Sequence, residues 1–370
     1  MNKMIKKNIV ALSLGFLALS ANAELIEFKP QIHNGVKSQL TEVPYQAKLI
    51  IERTNGENPP EFSLCGASIL DSSVLLTAAH CLENVGSMNF NQAYVTYLDF
   101  EDPEAPVEKI FSIYPEDVAI HDLWDGNIEN KNDIAVIYAE NQLLNAKKIK
   151  VADESSVTSM MTEFDTLYAH NSTNTGNLLA SGYGLDENAV SDVLNRVMLT
   201  GVSRTYCEDM KAGGGNSDDI ICTKSPDVEV NYAICSGDSG GPLVWKDKDN
   251  VADPDFGLRL VGVTSYVSVT KIDKKCIMKN DNEHGGFTKI SHYYDWINQA
   301  VDSLSGFNGY DVTSIQNVSY DFNVDPFINS DEGEDEPEYS GLIDSSKSGG
   351  SSSKLSLLGL LGFALMRRRK

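Results

Sequence analysis

Between residues 45 and 304 the chain is written as short apolar segments separated by turn residues, and this pattern limits its fold more than any other feature. The segments 47–52, 67–77, 93–98, 134–138, 197–202, 242–245 and 260–269 are rich in Val, Ile, Leu, Thr and Tyr. Runs of this length and composition, punctuated by turns, are strands. Only 291–304 reads as a helix: Tyr294, Ile297, Ala300, Val301 and Leu304 fall three or four apart behind Ser291, a suitable N-cap. The expected class is therefore all-β with one C-terminal helix.

The amino-terminal end indicates export. Lys3, Lys6 and Lys7 precede an apolar run over 9–19 and an Ala21-Asn22-Ala23 exit, so residues 1–23 read as a signal peptide cut by signal peptidase. The run is too short to span a bilayer. In an oxidising compartment an even set of six cysteines (Cys65, Cys81, Cys207, Cys222, Cys235, Cys276) is expected to form disulfides, with fifteen pairings open on counting alone. More than 300 remaining residues can bury a core without them, so bridges here staple loops. The formal charge is −23, and eight of the thirty basic residues lie in the signal and the extreme tail, which leaves 22 basic against 53 acidic residues over 24–353. That balance disfavours nucleic acid and anionic lipid as partners.

Chemistry concentrates in three short segments. Cys235-Ser236-Gly237-Asp238-Ser239-Gly240-Gly241-Pro242 places a serine between glycines; Thr77-Ala78-Ala79-His80-Cys81 supplies a histidine; Asn132-Asp133-Ile134-Ala135-Val136-Ile137 supplies an acid ahead of an apolar run. A serine hydroxyl is a poor nucleophile until a histidine takes its proton, and a buried carboxylate needs such a partner. His33, His121, His170, His284 and His292 have no motif around them and are expected on the surface or in loops; no His/Cys/Asp spacing resembles a zinc site, and the acidic stretch 99–104 leaves calcium open.

Together with Cys65-Gly66-Ala67-Ser68-Ile69-Leu70 and Ser265-Tyr266-Val267, these segments resemble the chymotrypsin family of trypsin-like serine proteases, over about 32–304. The resemblance implies two six-stranded antiparallel β-barrels, about 32–150 and 151–304, with the active site between them. It implies His80 as general base, Asp133 as its orienting acid, Ser239 as nucleophile, and the Gly237 and Ser239 amides as oxyanion hole. It implies an acyl-enzyme route with no cofactor and no metal, and the disulfides Cys65 to Cys81, Cys207 to Cys222 and Cys235 to Cys276. Ile32-His33-Asn34-Gly35-Val36 resembles the family's mature terminus, making 24–31 a propeptide whose removal by an activating protease lets the new ammonium group pair with Asp238. Gln31 stands where the family usually has Arg or Lys.

The same resemblance assigns the specificity pocket to Ala233, Ile234, Ser265, Val267 and Gly285. Ala233 stands where enzymes that cleave after Arg or Lys carry an aspartate, and Val267 narrows a wall. The expectation is cleavage after small or medium aliphatic residues, as in elastase-like members. The alternatives are a chymotrypsin-like preference for large apolar residues and, in another class, a non-catalytic surface binding protein. The loop after Val267 is long and could bring Asp273 near the entrance.

Beyond Leu304 the sequence reads as an acidic linker, 305–347, without a sustained apolar period. Over 348–370 a glycine pair, a twelve-residue apolar run and Arg367-Arg368-Arg369-Lys370 resemble the GlyGly C-terminal sorting signal of Gram-negative bacteria. That resemblance implies cleavage by a rhomboid-like sortase, passage through type II secretion, and an enzyme released or held at the cell surface.

Overall fold

The computed structural model of the 370-residue chain describes residues 32–127, 132–186, 189–190, 193–210, 217–268, 270–272, 275–278, 282–314 and 322–328. The expected signal, the propeptide with Gln31, Asp273 and the sorting tail lie outside the described residues.

Two antiparallel sheets of barrel type hold the core. In spatial order the first contains Val107–Ile113, Asn89–Asp99, Gln46–Thr54, Glu61–Ile69, Val74–Thr77, Ala135–Tyr138 and Val118–Ile120. Seven strands appear where six are expected because one run is interrupted by the turn Pro115–Asp117, where proline offers no N–H to the ladder. The expected strand 67–77 is also two strands: the Asp71 carboxylate accepts from the Ser73 and Val74 amides and closes a turn between them.

The second sheet runs Leu178–Gly182, Asn195–Gly201, Ile220–Lys224, His284–Lys289, Leu258–Ser268 and Pro242–Lys246, which returns to Leu178–Gly182 and closes a six-stranded barrel. Val36–Lys37 adds to it opposite Arg196 and Asn195. The first residues after Gln31 therefore belong to the second barrel, a correction to the expected boundary, because their backbone finds partners only there.

One core cluster fills the first sheet around Leu49, Ile51, Leu75 and Ile134 and extends across the seam to Val244, Leu258, Leu260 and Val263. A second gathers Leu178, Leu199, Leu243 and Phe287 under Met160 and Phe164. Across the seam, buried Ser181 donates through Oγ to Gln46 Oε1 at 2.7 Å.

Three departures concern helices. Glu154–Leu167 and Arg204–Met210 are helical where none was expected. In the former, Asp153 caps the Ser156 amide, and Thr158, Thr162 and Thr166 return their hydroxyls to carbonyls four residues back. Those threonines resemble strand residues in sequence, yet the helical backbone satisfies their hydroxyls internally. The terminal helix begins at Tyr294, and Ser291 lies in a preceding 3₁₀ turn, Ile290–Tyr293, rather than at the cap.

The chain does not leave the domain at 305. The Asp302 carboxylate accepts from the Gly309 and Tyr310 amides, Asn298 Oδ1 accepts from Val312 N, and Val312 and Phe322 join the main core. Phe322 packs on Tyr45 of the first barrel, ring centroids 5.6 Å apart, while Asp325 forms an ion pair with Lys246 of the second. Residues 305–314 and 322–328 are thus not a solvated linker; Val312 and Phe322 insert into the core without a period that sequence reading could detect.

Candidate active site

His80 lies on the short helix Ala79–Leu82, directly after the strand Val74–Thr77, and the Cys65–Cys81 disulfide ties that turn to the neighbouring strand. Asp133 precedes Ala135–Tyr138, which pairs with the same strand, Thr77 opposite Ala135. The topology brings together two residues 53 apart in sequence. Asp133 Oδ2 lies 2.8 Å from His80 Nδ1, and Oδ1 accepts from the His80 amide at 3.0 Å. An ionised carboxylate only accepts, so His80 carries its proton on Nδ1 and leaves Nε2 able to take one. Asp133 is 1% exposed. It also accepts from Ser265 Oγ at 2.5 Å, while Thr288 Oγ1 donates to its carbonyl.

The serine loop comes from the second barrel and is held against the first by glycines. The Gly66 amide donates to Ser239 O at 2.7 Å. Gly240 has φ +76°, and a Cβ there would lie 2.2 Å from Thr77 Oγ1 and 2.4 Å from Gly66 O. The loop thus rests on the residues that lead into His80, an approach only glycine permits. Gly237, φ +92°, turns the backbone so that, among the described residues, neither its N–H nor that of Ser239 has a hydrogen-bond partner. Two such donors beside a part-exposed serine suit an incoming oxyanion.

Asp238 is fully buried. Its oxygens accept from the Gly184 amide at 3.0 Å and the Cys235 amide at 2.8 Å, and no cation among the described residues pairs with it. Burial pushes its carboxyl up to about 7. Ile32 is buried in the second core cluster, and the next residue, His33, exchanges backbone hydrogen bonds with Ala233 at 2.8 and 3.2 Å.

Ala233 packs beside Cys235, Cys276, Met278 and Val267. Val267 faces Gly285 across adjacent strands, and a Cβ on Gly285 would lie 2.7 Å from Thr223 Oγ1 and 3.6 Å from Ile234 Cδ1. Ser265 makes a contact that its expected pocket position does not state. Its hydroxyl donates to Asp133, on a strand whose register shifts between Thr264 and Tyr266. His284, expected at the surface, is buried: its Nδ1 lies 2.8 Å from Asn282 O, so Nε2 accepts from Tyr266 OH at 3.0 Å. The other two disulfides are Cys207–Cys222 and Cys235–Cys276. Among the described residues, Cys65, His80 and Cys81 are clustered closely enough to suggest a metal site, but both sulfurs are committed to the disulfide. In the acidic stretch that begins at Asp99, Lys109 Nζ sits 2.9 Å from Asp99 and 3.4 Å from Glu101.

A family model described as Trypsin matches residues 32–297. The chain belongs to the trypsin family and is a serine-type endopeptidase. It is 26% identical over 276 residues to a venom serine protease of Polistes dominula, covering 73% of this chain and 85% of that protein. It is 24% identical over 261 residues to chymotrypsin-like elastase family member 3B of Homo sapiens, 70% and 85%. Against clotting factor C of Tachypleus tridentatus it is 25% identical over 287 residues, covering 74% of this chain but only 25% of that longer protein.

Proposed function

We propose that this chain is a secreted endopeptidase, made as a zymogen, in which Ser239 attacks the scissile carbonyl while His80 Nε2 takes the Oγ proton. Asp133 holds the imidazole and stabilises its cation, and the Gly237 and Ser239 amides receive the oxyanion. The leaving amine collects the proton from His80, giving an acyl-enzyme on Ser239 Oγ; water then repeats the sequence and frees the acid. The observation that carries this reading is the 2.8 Å contact from His80 Nδ1 to buried Asp133, beside a serine loop pinned to the His80 strand.

Cleavage after small or medium aliphatic residues is supported by the uncharged Ala233 and by Val267 facing Gly285, which narrow the pocket without offering a counter-ion to Arg or Lys. Activation by cleavage before Ile32 is supported by Asp238, a buried carboxyl with no cation beside it among the described residues, and by docking of 32–37 on the second barrel. Three disulfides support an oxidising, extracellular destination. Signal removal, tail processing at the glycine pair by a rhomboid-like sortase, and type II secretion from a Gram-negative cell complete the proposal.

The test is to purify the protein from culture medium, read both termini by mass spectrometry, label with an organophosphate, and profile peptides that differ only before the scissile bond. The expected result is a terminus at Ile32, label on Ser239, and fastest cleavage after Ala, Val or Leu. Fastest cleavage after Arg rejects the pocket assignment, and a folded, Ile32-terminated protein that resists labelling rejects catalysis at Ser239.

A further inference from the structure

Arg53 lies near the end of the strand Gln46–Thr54, and its side chain is turned inward, 8% exposed. Its guanidinium addresses backbone. Nη2 donates to Cys81 O at 2.7 Å and to His80 O at 3.4 Å, Nε donates to Glu83 O at 2.9 Å, and Nη1 donates to Ser63 Oγ at 2.7 Å. Those carbonyls belong to the four-residue helix that carries His80 and to the residue that caps it. So short a helix closes little of its own hydrogen bonding, and its last carbonyls need donors from elsewhere. A planar guanidinium with five donors in a fixed fork can serve three of them at once, and its charge suits the negative end of a helix.

The same turn anchors the approach to Asp133. The Glu83 carboxylate accepts from Trp124 Nε1 at 2.7 Å, and Asn132 Nδ2 donates to Leu123 O at 3.2 Å. Arg53 therefore holds from behind the segment that presents the base and is linked to the acid.

We infer that Arg53 is a positioning residue for His80: it touches neither substrate nor reacting atoms and sets the imidazole through the turn 80–83. The inference rests on His80 being the general base. A displacement of about 1 Å at a catalytic group can cost up to about a hundredfold in rate, and the Cys65–Cys81 disulfide restrains the turn only through the Cys81 side chain.

The experiment compares Arg53→Met, Arg53→Lys and Ser63→Ala with the parent, all activated, with organophosphate titration counting working sites. Arg53→Met is expected to lower kcat per titrated site roughly tenfold with KM within about twofold, Arg53→Lys to lie between it and the parent, and Ser63→Ala to stay near the parent. A parental kcat in Arg53→Met, or a loss confined to KM, overturns the inference. Should Arg53→Met not fold, Arg53→Lys decides, since a point charge cannot serve three carbonyls: reduced kcat at constant KM supports the inference and parental kcat overturns it. A parent that takes no label at Ser239 refutes the underlying catalytic reading instead.

Discussion

Ser265 Oγ donates to Asp133 Oδ2 at 2.5 Å, on the same carboxylate oxygen that faces His80 Nδ1 at 2.8 Å. The carboxylate is 1% exposed, so its lone pairs are satisfied by protein donors alone. Ser265→Ala should lower kcat about tenfold, the scale of one hydrogen bond to a charged group. Asp133→Asn should lower it by about 10⁴, because an amide favours the wrong imidazole tautomer. Steady-state kinetics on one peptide substrate separates the two.

Asp238 gives the uncleaved precursor a pH dependence of known sign. Its folded value of about 7 lies above the ordinary 3.8, so folded chains keep a proton that unfolded chains have lost between those limits. The stabilisation is complete below about pH 4 and is lost as pH rises to about 7. In a precursor disabled by Ser239→Ala, melting temperatures measured from pH 4 to 8 should decline less steeply once Asp238→Asn is added. Parallel curves would refute the assignment.

Gly240→Ala should be among the most damaging single changes. Its Cβ would meet Thr77 Oγ1 at 2.2 Å and Gly66 O at 2.4 Å in a left-handed conformation. The serine loop must then lift from the His80 strand, at a cost of about 1–3 kcal/mol from overpacking and more from backbone strain. Active-site titration together with denaturant unfolding reads both effects.

Val267→Gly should widen the pocket. Removing a branched side chain opposite Gly285 is expected to raise kcat/KM for Phe or Tyr before the scissile bond by at least about tenfold relative to Ala, since each methylene in a pocket is worth about 1–3 kcal/mol. An unchanged ratio would mean that Val267 does not line the pocket.

Truncation distinguishes a packed extension from a linker. A chain ending at Ile328 should retain the stability and kcat of the mature enzyme. One ending at Ser305 loses buried Val312 and Phe322 and the ion pair from Asp325 to Lys246, and should unfold at lower denaturant by several kcal/mol, about 1.5–3 for each large apolar side chain. Urea midpoints of the two provide the comparison.

Much of the site was legible because its chemistry is written in short contiguous segments. The segments around His80, Asp133 and Ser239 each carry their own context, and the geometry brings the first two into contact and seats the third against Thr77 and Gly66. Ser265 was legible as a residue near the site but not in its role, because its hydroxyl meets a carboxylate far away in the chain. Arg53 was invisible: nothing beside it in sequence indicates that its guanidinium will meet carbonyls 27 to 30 residues further on. The helix Glu154–Leu167 was obscured by threonines whose hydroxyls the helix itself satisfies.

By itself the sequence determined the class of fold, since strand-length apolar runs with frequent turns admit little else, and it supplied the proposed reacting groups, since the nucleophile, base and acid proposed here are distinct side chains in distinct local contexts. The tertiary structure alone decided what surrounds them: which hydroxyl holds Asp133, which cation caps the His80 turn, and how Val312, Phe322 and Asp325 pack against the barrels. Those contacts join positions far apart in the chain, and their geometry depends on strand register and barrel closure, neither of which any local run of residues encodes.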